Sequence, residues 1–199
     1  MARPRTYPAE VRREMILGAA RKALAKRGYQ ELKLDEVARL AGIAKGTLYL
    51  YFKDKMDLLA GVFTDLLAQS NARIDAVPKT GFPSGDLCAA ARASLAFVDE
   101  HQAFLTAFVG GHPDLKRTPS GRRAHEVYDR RLRQIGTLLK KNVRTARCRR
   151  LDIAALGLYW DALMRFFIER QGYQPAAAKL VSRDKEFVDL LLHGLGAAE

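Results

Sequence analysis

Gly42 is the position that most constrains this chain, because of where it falls in the stretch LDEVARLAGIAKGTLYLYF, Leu34 to Phe52. Val37, Ile43 and Leu48 supply a small apolar core there, and Ala38 is small where two helices have to cross closely. A helix leaving Ala41 must turn sharply, and glycine takes the positive φ of such a corner at no steric cost. A second helix then starts near Ala44.

Two short helices about a tight turn form a helix-turn-helix, in which the second helix enters the DNA major groove and the first crosses the backbone. Lys45 opens the second helix, Gly46 and Thr47 keep its first turn slim, and Tyr49, Leu50 and Tyr51 follow. A helix N-terminus also favours phosphate. By spacing alone, ordinary packing of two amphipathic helices fits equally well.

The wording of the stretch goes further than its spacing. AGIAKGTLYLYFKDKMDLL, with its flanks from about Val11 to Leu59, closely resembles the N-terminal signature of the TetR (tetracycline-repressor) family of transcriptional regulators. Beyond Leu59 the likeness is one of length and helix rhythm. The resemblance implies that Lys45, Gly46, Thr47, Tyr49 and Leu50 make base or nearby backbone contacts, and that Tyr51 and Lys55 hold phosphates. Two positions depart from the family pattern. Lys33 and Leu34 stand where a Thr or Ser usually caps the first helix of the pair, leaving Asp35 as the candidate cap and Lys33 as a charged substitute for the lost phosphate contact. Ala44 stands in the DNA-binding stretch where the family often has Ser.

Charge follows the same division. The net charge of +12 is distributed as +7 over residues 1–56, −4 over 57–114, +11 over 115–150 and −2 over 151–199. The first basic block coincides with the helix-turn-helix, where phosphate neutralisation is expected. Arg3 and Arg5 form an N-terminal arm, either a solvated terminus or a minor-groove contact. The second block, Arg122 to Arg150, reads as a solvated face, with an acidic partner, anionic lipid or further DNA contact as the functional readings, and its distance from the reading helix argues against a role in sequence recognition. No apolar run reaches bilayer length and MARPRTYP lacks the core of a signal peptide, so a cytoplasmic chain with no membrane partner is expected. Cys88 and Cys148 match neither a disulfide framework nor a zinc site.

Helical periodicity continues through the whole chain. Pro8 opens a helix to about Arg27, stopped by Gly28, with Val11, Met15, Ile16, Ala19, Ala20, Ala23 and Leu24 inward. Phe52 reads as a core plug. Asp54 caps a helix to about Asp75 that links the DNA-binding module to the rest. Further helices are expected over 84–100, 102–109, 121–143, 152–171 and 175–194. The expectation is an all-α chain of about nine helices, with residues 1–53 as a three-helix DNA-binding domain and 54–199 as a helical ligand-binding and dimerisation domain. The last two helices carry more apolar residues, from Ile153, Leu156 and Trp160 to Leu192 and Leu195, than one protomer face requires. A four-helix interface with a second copy would bury that surplus, with Gly157 permitting close approach.

Nothing in the sequence supports catalysis. His101, His112, His125 and His193 form no metal-ligand spacing, and there is no phosphate loop or nucleophile elbow, so neither an enzyme nor a metal or other cofactor is expected. The resemblance implies a small-molecule effector site among the helices after Leu59. Candidates are aromatic or polar residues on apolar faces, Phe63, Arg92, Phe104, Phe108, Tyr128, Trp160, Met164 and Phe167, for each of which plain core packing is the default reading. Arg92 interrupts CAAARASLAF and needs an acidic partner, an anionic ligand or a route to solvent. The expected function is an effector-controlled regulator, more a repressor than an activator, that binds a near-palindromic double-stranded DNA operator as a homodimer. The rivals are a non-specific architectural DNA-binding protein without ligand sensing and a peripheral membrane adaptor using the arginine block.

Overall fold

The computed structural model describes residues 7–109, 118–142, 152–173 and 178–194. Among these residues eight α-helices and one 3-10 turn occur, and no strand. They are α1 (Ala9–Arg27), α2 (Leu34–Leu40), α3 (Lys45–Tyr49), α4 (Lys55–Asp75), α5 (Pro83–Val109), α6 (Pro119–Asn142), α7 (Ile153–Tyr173), the 3-10 turn Leu180–Arg183, and α8 (Asp184–His193). The all-α expectation holds. The two helices expected between residues 84 and 109 form one span that kinks at His101, where φ is −116° and ψ 15°.

Local chemistry sets several of the ends. Gly28 closes α1 at φ 72°, its N–H donating to the Leu24 carbonyl. The Asp54 carboxylate accepts from the Asp57 N–H at 2.8 Å to start α4, and the Thr118 hydroxyl accepts from the Gly121 N–H at 2.9 Å to start α6. Such caps satisfy N–H groups that a helix leaves open at its start. α2 has none: Lys33 stands at its cap position with no side-chain hydrogen bond. Asp35, the sequence candidate, lies in the first turn and is engaged elsewhere.

Two apolar cores result. The first gathers Ile16, Leu17, Ala20 and Leu24 of α1, Val37 and Ala38 of α2, Leu48, Phe52, and Leu58, Leu59, Val62 and Leu66 of α4, with Phe97 and Phe104 of α5. Gly61 lies under Phe52, where a Cβ would come within 2.5 Å of the ring. Val11, expected inward on α1, is exposed because the turn that carries it extends past the packed part of the helix. The second core joins Ile74, Leu87, Leu95, Ile135, Leu139, Leu156, Trp160, Phe167, Leu180, Phe187 and Leu191. The rings of Trp160 and Phe167 both meet Phe187 edge-on, at centroid distances of 4.8 and 5.3 Å.

Two glycines bring α6 and α7 into backbone contact. A Cβ on Gly136 would lie 1.8 Å from the Ile153 carbonyl oxygen, and one on Gly157 would lie 2.3 Å from that of Leu132. Gly157 is therefore used for close approach within the chain, not kept for a second copy. The apolar surplus also differs from expectation. Leu156, Trp160, Met164, Phe167 and Ile168 are consumed by the second core, whereas Ile153, Leu158, Tyr159, Phe166 and Tyr173 remain exposed on α7. Leu195 lies outside the described residues.

Candidate nucleic-acid interface

α3, the candidate reading helix, is short and held from behind. Val37, Ala38 and Leu48 are buried, and Ile43 packs partly against them. Gly42, at φ 68°, turns the chain, and the Ile43 N–H donates back to the Ala38 carbonyl at 3.0 Å. With Leu48 pointing in, the 3.6-residue period turns Gly46 and Leu50 to the opposite side, and Lys45 and Tyr49 are exposed on the flanks. Tyr49 is 45% exposed and Leu50 82% exposed. Ala44, at the cap position, is exposed too, and Thr47 is half-buried.

Two of the cations around this helix are engaged within the chain. The Lys45 ammonium meets the Asp35 carboxylate at 2.7 Å, both side chains lying in solvent. That hydrogen bond, with the charge of Asp35 behind it, holds the Lys45 pKa above the ordinary lysine value. Asp35 thus ties α2 to α3 instead of capping α2. The Lys55 ammonium donates to the Gln30 carbonyl at 2.9 Å and sits 4.4 Å from the centre of the Tyr29 ring. Burial, and after it the charge of Asp54, pushes the Tyr29 phenol up. Tyr51 is half-buried against the first core, and Lys33 is exposed at the start of α2. The arm residues Arg3 and Arg5 lie outside the described residues.

One carboxylate joins this module to the rest. Asp57, 4% exposed, accepts from the Lys53 N–H at 3.1 Å with one oxygen and from the Ser120 N–H at 2.9 Å with the other. Lys53 leads out of the helix-turn-helix and Ser120 is in the first turn of α6. Thr64 reinforces the junction by donating to the Ser120 and Ala60 carbonyls. In the sequence, Asp57 is visible only as a first-turn acid of α4; its second partner, 63 residues away, leaves no local signal.

The second basic block is divided by the structure. Arg131, 6% exposed, donates to Asp161 at 3.2 Å and to Ser70 at 3.1 Å, joining α4, α6 and α7, so it belongs to the interior and not to a solvated face. Arg122, Arg123, Arg130, Arg133, Lys140 and Lys141 are exposed along α6, and residues 143–150 lie outside the described residues. The start of α6 is nearer the DNA-binding module than its place in the sequence suggests. The Arg13 guanidinium, 4.7 Å above the Phe52 ring, has its pKa lowered by burial and then by the charge of Arg123.

The effector candidates do not gather in one place. Phe63 and Phe104 pack in the first core, Trp160, Met164 and Phe167 in the second. Tyr128 lies half-buried beside Asp161; burial, and then that carboxylate, pushes its phenol up. Arg92 reaches solvent and meets Asp184 at 2.7 Å, which supplies both the acidic partner and the route to water that its place in an apolar run demands. The Phe108 side chain lies outside the described residues. Sequence reasoning missed Ser94 and Thr106 of α5, whose buried hydroxyls, like the Trp160 indole N–H, have no hydrogen-bond partner among the described residues. No group of residues with metal-ligand geometry occurs among the described residues, and no described helix is long and apolar enough to cross a membrane.

Comparison with known proteins agrees with the geometry of the head. Residues 16–62 match the family profile of bacterial regulatory proteins, tetR family. An uncharacterised HTH-type transcriptional regulator of Bacillus subtilis, YhgD, is 38% identical over 72 residues, covering 36% of this chain and 38% of the relative. The chain is thus matched in sequence to little more than a third of that relative's length. In fold the likeness runs throughout. The fatty acid degradation regulator FadR of Bacillus halodurans superposes with a TM-score of 0.77 at 19% identity, over 98% of this chain and 100% of its own. FadR of Bacillus subtilis in complex with stearoyl-CoA gives 0.76 at 18% identity, over 92% and 99%. Residues 16–62 thus carry the signature of the tetR family of bacterial regulatory proteins, and the chain as a whole shares the fold of these solved regulators.

Proposed function

We propose that this chain is an effector-controlled transcriptional repressor of the cytoplasm, with no enzymatic activity. It binds a near-palindromic operator as a homodimer, with residues 1–53 as its DNA-binding domain and residues 54–199 as its ligand-binding and dimerisation domain. The observation that carries this reading is the exposed face of α3, where Gly46, Tyr49 and Leu50, with Lys45 paired to Asp35, lie open to solvent on a helix anchored by Leu48. α3 lies in the major groove with Thr47 beside these residues and Ala44 at the groove edge, while Lys33, Tyr51 and Lys55 face phosphates. Two heads then sit one helical turn apart, about 34 Å, on the two half-sites.

The exposed Leu158, Tyr159 and Phe166 of α7 support pairing of α7 and α8 with the same helices of a second copy. The unmet hydrogen bonds of Ser94, Thr106 and Trp160 support an effector with an apolar body and a polar group, held between α5 and α7. Long-chain acyl thioesters are the first class to test, since FadR of Bacillus subtilis holds stearoyl-CoA on the same fold. A hundredfold release from DNA requires a coupling of about 2.7 kcal/mol between the two sites. α4, together with the Asp57 junction, is the element that carries it.

Selection of bound fragments from a random DNA pool, with and without acyl-CoA, tests the reading. A single palindromic motif, lost on addition of the effector, is the expected result. Tyr49→Ala should abolish the specific shift while leaving the thermal midpoint unchanged. Recovery of no motif, or of one that survives Tyr49→Ala, would overturn it.

A further inference from the structure

We infer that Leu50 reads the C5 methyl group of a thymine in each half-site, so that operator choice by this chain rests on an apolar contact. The inference depends on the proposed DNA-binding role of α3 and specifies its chemistry.

Leu50 ends α3, its N–H donating to the Thr47 carbonyl at 3.2 Å. Its backbone is therefore fixed in helical geometry while its side chain is 82% exposed. It stands beside Tyr49 on the face turned away from Leu48, within a segment of net charge +7, so the partner that covers this face is a polyanion. What the neighbours can offer a base edge is restricted. From Ala44 to Tyr51 there is no Arg, Asn or Gln, the side chains whose paired donors or acceptors distinguish guanine and adenine. Lys45, the one cation of the segment, is held by Asp35. Ala44 and Gly46 bring no polar group. The hydroxyls of Thr47 and Tyr49 remain, and a hydroxyl serves as donor or acceptor and discriminates weakly. In the major groove the base feature that an aliphatic side chain can distinguish is the thymine methyl.

The test replaces thymine by deoxyuracil, one position at a time, in an operator fragment obtained by selection with the full-length protein. The exchange removes the methyl and leaves every hydrogen-bonding group in place. Wild-type protein should lose about fourfold in affinity per half-site at one symmetry-related position, the effect expected for one methyl-sized apolar group. Leu50→Ala should bind thymine and deoxyuracil operators equally at that position and keep the wild-type thermal midpoint. Leu50→Met, which restores an apolar side chain, should recover part of the preference. Indifference of the wild-type protein to deoxyuracil at every position would overturn the inference while leaving specific DNA binding intact. So would Leu50→Ala weakening both operators alike with the preference unchanged. Absence of any selected motif would instead remove the DNA-binding reading on which the inference stands.

Discussion

In the first core all buried apolar side chains but Phe97 and Phe104 come from residues 16 to 66, whereas the second draws on every helix from α4 to α8. The difference extends to how each is locked. Within the helix-turn-helix and its exit several fixing contacts are short in sequence, with Gly42 in the turn, Asp35 to Lys45 and Asp54 to Asp57, while Asp57 also reaches Ser120 of α6. Around the second core they are long, with Gly136 against Ile153 and Arg131 reaching both Ser70 and Asp161. A reading head built locally keeps its shape when the rest of the molecule shifts. A core closed by distant helices can change its packing when a ligand enters, and pass the change along α4 and α6. On the proposed function, the comparison separates the part that would recognise DNA from the part that would respond to an effector.

The same substitution made in both regions should act with opposite sign, which is the largest effect expected. Gly136→Ala drives a Cβ to 1.8 Å from a backbone oxygen and forces α6 and α7 apart. Overpacking of this kind destabilises by about 3 kcal/mol. Gly46→Ala meets nothing within 4 Å, so the better helix propensity of alanine should stabilise the fold by up to about 1 kcal/mol. Its added methyl stands on the outward face of α3, so operator binding should fall even as stability rises. Urea denaturation at one protein concentration, paired with operator titration, checks both arms. Equal losses of stability at the two glycines would erase the distinction between the regions.

The sequence exposes the two regions unequally for the same reason. Gly42, Leu48, Phe52 and the Asp54 cap carry their structural meaning within a few residues of themselves, and each is found where periodicity and turn chemistry put it. Arg92 is interpretable only to the extent that a partner is demanded; that the partner is Asp184, 92 residues on, is a property of the packed chain. Trp160 and Phe167 read as surplus for a second copy because their partner, Phe187, is identifiable only once α8 is folded back. Gly157 suggests close approach but not what approaches. At the interface, the outward set on α3 follows from the position of Leu48, whereas the neutralising role of Asp35 and the double engagement of Asp57 depend on side-chain directions that a one-dimensional pattern does not contain.

The junction between the regions can be weakened without touching either core. Asp57→Asn keeps one carbonyl oxygen for one of the two N–H groups, but turns an amide NH2 toward the other, leaving that donor unmet. A lost bond of this kind at a buried site costs about 2 kcal/mol. Operator affinity without effector should change less than the response to it. With α6 no longer tied to the exit of the reading head, the ratio of affinities without and with effector should drop toward one. Titration of operator with and without a saturating acyl-CoA measures that ratio. A variant that loses stability but releases DNA as the parent does would show that α4 alone carries the signal.

The smallest effect expected lies wholly inside the head. Asp35 holds Lys45 at the surface, where exposed pairs add little to folding, so Asp35→Ala should leave the unfolding midpoint in place. On DNA the consequence is of another kind. A lysine released from its carboxylate is free to pair with phosphate, and each such contact steepens the dependence of binding on salt by about one ion per half-site. That contact carries no sequence information, so affinity for a scrambled duplex should rise several-fold, more than affinity for the operator, and the specificity ratio should narrow. If Lys45 instead leaves Asp35 to meet a base edge on the operator, removal of Asp35 raises operator affinity more than scrambled affinity, and the ratio widens. Salt titrations on the two duplexes therefore decide whether Asp35 serves to keep a cation off the phosphates or to aim it at a base.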